Sequence, residues 1–350
     1  MAAPAVVLAA ALAVAAGAAA GTGPRGPAPA GQAGSLPARP AGSLPAGQAG
    51  SLPAGQAGQA GQPAAVTVAE QVAVARYWTP ARMRAAAPVR ADVRAPALAA
   101  HSARAWLSGN TAGWGLRWTH GGAVARSTGK VFFTLDHVNY VCSGSAVASA
   151  HGDVVLTAAH CVSGGAGQWA SNWIFVPGYR DGTQPHGAFT ARRFFVSPRW
   201  SESRGTANDA NERYDVAFVT VNPPPAPTGS RQAGMRLPTG QPVAFSQRFA
   251  AGTTYVFGYP AEPPYSGLYP NYCAGPAQPG GLGVTRTRCA MTAGDSGGPW
   301  FAGFSPRTGT GTIVAITTYK ISDNPRVLYA TVLGPAARVL YQEADVSPDR

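Results

Sequence analysis

The apolar positions of this chain change character from one stretch to the next. Residues 2–20 are almost wholly Ala, Val, Leu and Gly, without a charge. Residues 21–63 carry isolated leucines among Gly, Pro, Gln and Ser, so little there can be buried. Valines at 66, 68, 72 and 74 admit a helix, and residues 81–87 suit a short helix with Thr79 as its cap and Pro80 at its first position. Beyond residue 125 the apolar residues gather into short runs. VVLTAAHCV at 154–162 opens with a strand pattern, and in RYDVAFVTV five of the seven residues after Asp215 are Val, Ala or Phe, which predicts another. Ala336, Val339, Leu340 and Ala344 recur at helical spacing and predict a C-terminal helix over 335–344. VNPPPAPTG at 221–229 would interrupt any sheet.

Chemistry enters where these runs end. GDSGGP at 294–299 sets Ser296 among small residues whose backbone can turn tightly, with the Gly294 and Ser296 N–H groups available as an oxyanion pair. The first predicted strand delivers His160. The second begins at Asp215, where an aspartate carried against the core can accept the proton on His160 Nδ1 and fix the imidazole tautomer. The chain order is therefore His160, Asp215, Ser296. Asp209 is an alternative orienter, but its NDANE surroundings read as a solvated turn, and His151 and His186 read as surface-loop residues. GDSGG also fits the GxSxG of an α/β-hydrolase esterase; the His-before-Ser order and the TAAHC context argue against that fold.

With TAAHC and GDSGGP in this order, the chain resembles the chymotrypsin-like serine proteases. CSGSAV at 142–147 resembles the strand preceding the family's histidine, TTYVFGYPA at 253–261 a second-barrel strand, and NPRVLYATV at 324–332 the closing strand before a terminal helix. VFFT, NWIFVPGY and FGYPAEPPY are similar to the secreted bacterial, glutamyl-endopeptidase-like branch. The resemblance implies an all-β fold of two six-stranded antiparallel β-barrels, the active site in the cleft between them, and a C-terminal helix. The first barrel would span about 126–229 and the second about 230–344. It also implies a primary pocket with its base six residues before the nucleophile, at Ala290, and walls from Thr317, Thr318, Tyr319 and about Val327. Alanine at that base argues against cleavage after Arg or Lys and favours small apolar side chains, while Lys320 and Arg326 keep acidic specificity open. In the family the residue before the serine, here Asp295, pairs with a newly released N-terminal amine; no IVGG-like sequence is visible near 117–129.

Four cysteines in an exported chain permit three pairings, and the resemblance implies Cys142 with Cys161, leaving Cys273 with Cys289. Zinc binding is the competing use of these residues, but the spacings contain no CxxC. Export itself is read from residues 1–20, a signal peptide with small residues at Ala18 and Ala20, although no Lys or Arg precedes the apolar run. A membrane anchor is the alternative, disfavoured because an Ala/Gly-rich run is weakly hydrophobic. Residues 21–63, with AGSLPA recurring at Ala33, Ala41 and Ala49, read as a disordered linker, and residues 64–125 resemble a pro-segment, with a surface arm of the mature protein as the alternative.

The formal charge of +12 is scattered, about half of it before residue 106, without a block of five like charges or a nucleic-acid motif. The expected protein is thus a secreted, monomeric serine endopeptidase acting on protein or peptide substrates, without nucleic acid, stable membrane insertion, metal or organic cofactor. A catalytically silent protease-fold binding or adhesion module is the alternative.

Overall fold

Six apolar strands close on themselves in the first half of the structure: β1 (Thr128–Leu135), β2 (Val138–Ala146), β3 (Val154–Thr157), β4 (Ser171–Pro177), β5 (Phe189–Val196) and β6 (Ala217–Val221). Every pairing is antiparallel, in the order β1-β2-β3-β6-β5-β4, and β4 pairs back onto β1. Closure leaves no free edge in the ring. Val131, Phe133, Val155, Phe175 and Phe218 are buried in its core. The hairpin from β1 to β2 turns through Asp136 and His137, both at positive φ (48° and 63°), the backbone whose twist matches paired strands.

This computed structural model describes residues 61–89, 92–93, 113–203, 211–225, 235–247, 249, 252–281, 283–321 and 324–347. The expected signal peptide, residues 21–60 of the expected 21–63 linker and Asp209 lie outside the described residues, while the linker's last residues depart from expectation, Gln62–Pro63 forming a strand.

The second half is a sheet of β7 (Thr254–Gly258), β8 (Asn271–Gly275), β9 (Gln278–Gly281), β10 (Val284–Arg288), β11 (Pro299–Ser305), β12 (Thr310–Ile321) and β13 (Val327–Val332), ordered β9-β10-β13-β12-β11-β7-β8. Leu116–Arg117 adds to β8 and Asp92–Val93 to β12. The expected six-stranded second barrel therefore takes the form of a nine-stranded sheet whose end strands are not hydrogen-bonded to each other. β9 reads QPGG, poor in strand-forming side chains and short of a donor at its proline. Where a ladder would close the ring, the Cys273–Cys289 disulfide (Cα–Cα 5.7 Å) joins β8 to the residue after β10.

Helix α3 (Pro335–Asp345) lies on the first barrel, with Tyr341 edge-on to Phe218 at 5.5 Å. Its buried face is Ala337, Leu340 and Ala344, while Val339 is 43% exposed, so the helix forms as expected but turned by about one residue.

Residues 61–89 are docked on the same barrel. Gln62–Pro63 pairs with β5, and α1 (Val68–Tyr77) and α2 (Pro80–Ala85) follow. A capping box starts α1, with Thr67 Oγ1 accepting from Glu70 N and Glu70 accepting from Thr67 N. Thr79 caps α2 with Pro80 behind it, as expected. Trp78 and Met83 are buried against Phe132, Ile174 and Tyr179, which anchors the two helices.

Candidate active site

The wholly buried β3 ends at Thr157, and a single 3-10 turn, Ala159–Cys161, then presents His160. The Cys142–Cys161 disulfide (Cα–Cα 6.3 Å) ties this turn to β2. Asp215 closes the turn Glu212–Tyr214 just ahead of β6. Since β3 and β6 pair with Thr157 opposite Ala217, the register brings the two side chains together. Asp215, fully buried, accepts from His160 N through Oδ1 at 2.8 Å and faces His160 Nδ1 through Oδ2 at 2.7 Å. A carboxylate only accepts, so the Nδ1 proton points at Asp215 and Nε2 keeps its lone pair. Nε2 is buried without a hydrogen-bond partner, ready to take a proton.

Ser296 arrives from the other half of the molecule on a turn that only glycine can make. Gly294 sits at φ +98°, where a Cβ would come within 2.9 Å of Tyr259 O. Gly297 (φ +79°) lies so close to Thr157 Oγ1 and Ser143 O that a Cβ would collide with both. The turn is sewn to the histidine's barrel: Ser143 N donates to Ser296 O at 2.7 Å, Ser143 Oγ donates to Gly294 O at 2.8 Å and accepts from Tyr259 N at 2.8 Å. Gly297 N donates to Thr317 O at 2.7 Å. Ser143, and Thr157 whose Oγ1 donates to Ser143 O at 2.8 Å, brace the turn and were passed over by motif reading; polar residues inside CSGS and at the end of VVLT were the available signal.

A cavity of about 570 Å³ opens beside Ser296, lined among others by Ala290, Asp295, Thr318, Tyr319 and Lys320. Thr317 and Val327, expected as pocket walls, are buried outside the lining: Thr317 Oγ1 accepts from Trp300 Nε1 at 2.9 Å, and Val327 packs with Tyr319 and Tyr329. The strand carries a bulge between Thr317 and Tyr319, and Thr318 to Ile321 line the cavity. Lys320 Nζ donates to Pro325 O at 2.6 Å and Cys289 O at 3.3 Å. Asp295 is 3% exposed, with Oδ2 lacking a hydrogen-bond partner; burial pushes its carboxyl up to about 7, against the pull of the Lys320 charge. Val89 and Trp114, residues upstream of the barrels, also line the cavity.

Comparison with known proteins identifies the family and the fold. The sequence model of the trypsin family matches residues 121–333. The chain belongs to the trypsin family, the chymotrypsin-like serine proteases, whose enzymes are serine-type endopeptidases. Among solved structures it is similar to protease Anisep from Arthrobacter nicotinovorans, with 33% identity and a TM-score of 0.56 over 64% of this chain and 98% of that one. A similar likeness holds to the thermostable serine protease AL20 from an extremophilic microorganism, with 31% identity and a TM-score of 0.56 over 65% of this chain and 100% of that one. A stretch of 130 residues is 25% identical to an extracellular metalloprotease of Bacillus subtilis, covering 37% of this chain and 36% of that protein, so the match spans about a third of that relative's length.

Among the described residues, one cluster of potential metal-ligand atoms lies at the histidine. Cys142, His160 and Cys161 bring ligand atoms within 4.8 Å of one another. The two sulfurs are joined in a disulfide, which lacks the thiolate a metal takes, and Nδ1 is committed to Asp215. This set does not fit a metal ion.

Proposed function

We propose that the chain is a secreted serine endopeptidase that cleaves peptide bonds through an acyl-enzyme on Ser296. The observation that carries the reading is the His160–Asp215 pair, with Nδ1 held and Nε2 free, on the barrel to which the Ser296 turn is hydrogen-bonded. Ser296 Oγ attacks the substrate carbonyl carbon as His160 Nε2 takes its proton. The amides of Gly294 and Ser296 hold the oxyanion; loss of one such donor costs about 3 to 4 kcal/mol in comparable sites. His160 then protonates the leaving nitrogen, the C–N bond breaks, and water, deprotonated by the same histidine, releases the acid. Asp215 steadies the imidazolium throughout.

Small apolar side chains are the proposed residues before the scissile bond. Alanine at 290 puts no carboxylate there, and Lys320, engaged by two backbone carbonyls, is turned towards the protein rather than reserved for a substrate acid. Secretion is supported by the two disulfides, and no helix among the described residues is long and apolar enough to cross a membrane. Residues 64–125 act as a pro-segment in this reading, in keeping with a buried Asp295 oxygen that has no partner yet. The experiment is peptide hydrolysis by the purified chain beside its Ser296→Ala variant. Turnover falling by several orders of magnitude supports the reading, and comparable turnover refutes it.

A further inference from the structure

A segment from upstream of the family domain is built into the base of the pocket. Ala290 N, at the expected pocket base, donates to Gly113 O at 2.6 Å. Two residues further on, Gly115 N donates to Tyr265 Oη at 2.8 Å, and Gly115 packs so closely that a Cβ there would come within 2.5 Å of Met291 Cγ. Leu116–Arg117 then pairs with Asn271 and Tyr272 of β8. Trp118 is buried, its ring 5.2 Å from those of Phe257 and Tyr272, with its N donating to Pro270 O at 2.9 Å and Nε1 to Gly121 O at 2.8 Å. Residues 113–118 are thus a strap woven into the second sheet, although the family model begins its match at residue 121. Processing removes exposed chain with few contacts, and this strap is paired and buried. Its integration narrows the proposed pro-segment to the residues ahead of Gly113.

Trp114 stands between the two anchors. It lines the cavity that holds Ser296, beside Ala290 and Arg326, and 52% of it is exposed. The Arg326 guanidinium lies 5.7 Å from its ring centroid, within reach of cation–π attraction. The backbone is therefore pinned on both sides of the residue, and the ring has a partner of its own. An indole has only two side-chain torsions to fix, so it makes a broad, apolar and rigid contact surface at low entropic cost.

We propose that Trp114 is a specificity-determining wall of the substrate pocket, its indole limiting the length of the side chain accepted before the scissile bond. A short apolar side chain passes Ser296 and meets the ring. A longer aromatic one needs the room that the ring takes. The proposal deepens the small-apolar reading of the pocket and rests on it.

The test uses the full chain with Trp114→Ala and Trp114→Phe, and two peptide substrates that differ only in Ala or Phe before the scissile bond. The readout is kcat/KM for the Phe peptide divided by kcat/KM for the Ala peptide. Lost stability or a smaller folded fraction scales both values together and leaves this ratio alone. A single methylene in an apolar pocket already moves such a ratio by about 10- to 200-fold. Trp114→Ala is expected to raise it at least tenfold over wild type, and Trp114→Phe, which keeps a ring at the wall, by less than threefold. One common ratio in all three forms overturns the wall while leaving the endopeptidase reading in place. A wild type that prefers the Phe peptide removes the small-apolar reading and the wall together, and no cleavage by any form removes the endopeptidase reading as well.

Discussion

Asp215→Asn changes almost nothing in shape and removes the property on which the site depends. The carboxylate offers two acceptors, Oδ1 to His160 N at 2.8 Å and Oδ2 to Nδ1 at 2.7 Å, in a fully buried position. An amide offers one oxygen and one NH2. If the NH2 faces Nδ1, the imidazole must accept there and carry its proton on Nε2, the nitrogen that has to receive the serine proton. If it faces His160 N, two donors confront each other without water, at about 1 to 3 kcal/mol. That second arrangement also loses one hydrogen bond to a charged group, at about 1.5 to 3 kcal/mol, for about 2.5 to 6 kcal/mol with the clash. At one decade per 1.4 kcal/mol this is about 10² to 10⁴ in kcat/KM, and the wrong tautomer puts the loss near the upper end. The assay is kcat/KM on a peptide substrate for wild type and variant, with thermal melts to show that both are folded. A loss below tenfold in a fully folded variant would refute the role assigned to Asp215.

The other predictions concern the buried acid, the second disulfide and the pocket. Asp295 titrates near 7 in the folded protein against an ordinary value of 3.8, so between these pH values the folded state holds a proton the unfolded chain has lost. Its contribution to stability therefore falls with rising pH across that window, by about 1.4 kcal/mol per unit. Urea unfolding at pH 4, 5.5 and 7 should show Asp295→Asn gaining on wild type as pH rises; a constant difference contradicts the burial argument. Replacing Cys273 and Cys289 together by Ala should lower unfolding free energy by about 2 to 4 kcal/mol, because the bond closes a 16-residue loop and ties β8 to the residue after β10. An unchanged denaturation midpoint would remove that role. A peptide library should be cut after small apolar residues; cleavage chiefly after Arg or Lys would overturn the pocket reading, and after Glu would return the weight to Lys320 or Arg326.

What the sequence disclosed was what local chemistry determines. A serine between glycines, a histidine ending an apolar run and an aspartate opening another are recognisable residue by residue, and strand register then brings His160 and Asp215 together. The face of α3 was misjudged by one position because Ala336, Val339 and Leu340 all satisfy the same spacing, and only packing against β6 chooses Ala337 instead. Of the residues expected at the pocket wall, Thr318 and Tyr319 line the cavity and Thr317 and Val327 do not, next to a bulge that no residue pattern announces. The N-terminal helices were half legible: TVAE at 67–70 is a capping box, a start signal stronger than the valine spacing. That the arm beyond them would pair with both β2 and β12 depends on contacts between residues more than 50 positions apart in one case and more than 200 in the other, which no local pattern records.

The proposed mechanism stands on Ser296 being a nucleophile made reactive by His160. The most direct measurement is intact-mass analysis of the full chain after prolonged exposure to diisopropyl fluorophosphate, small enough to enter beside Val89, with Ser296→Ala and His160→Ala as controls. The expected result is a single added diisopropylphosphoryl group, mapped to Ser296, absent from Ser296→Ala and slowed by orders of magnitude in His160→Ala. A wild-type chain that stays unmodified, or one labelled equally in all three forms, would contradict it.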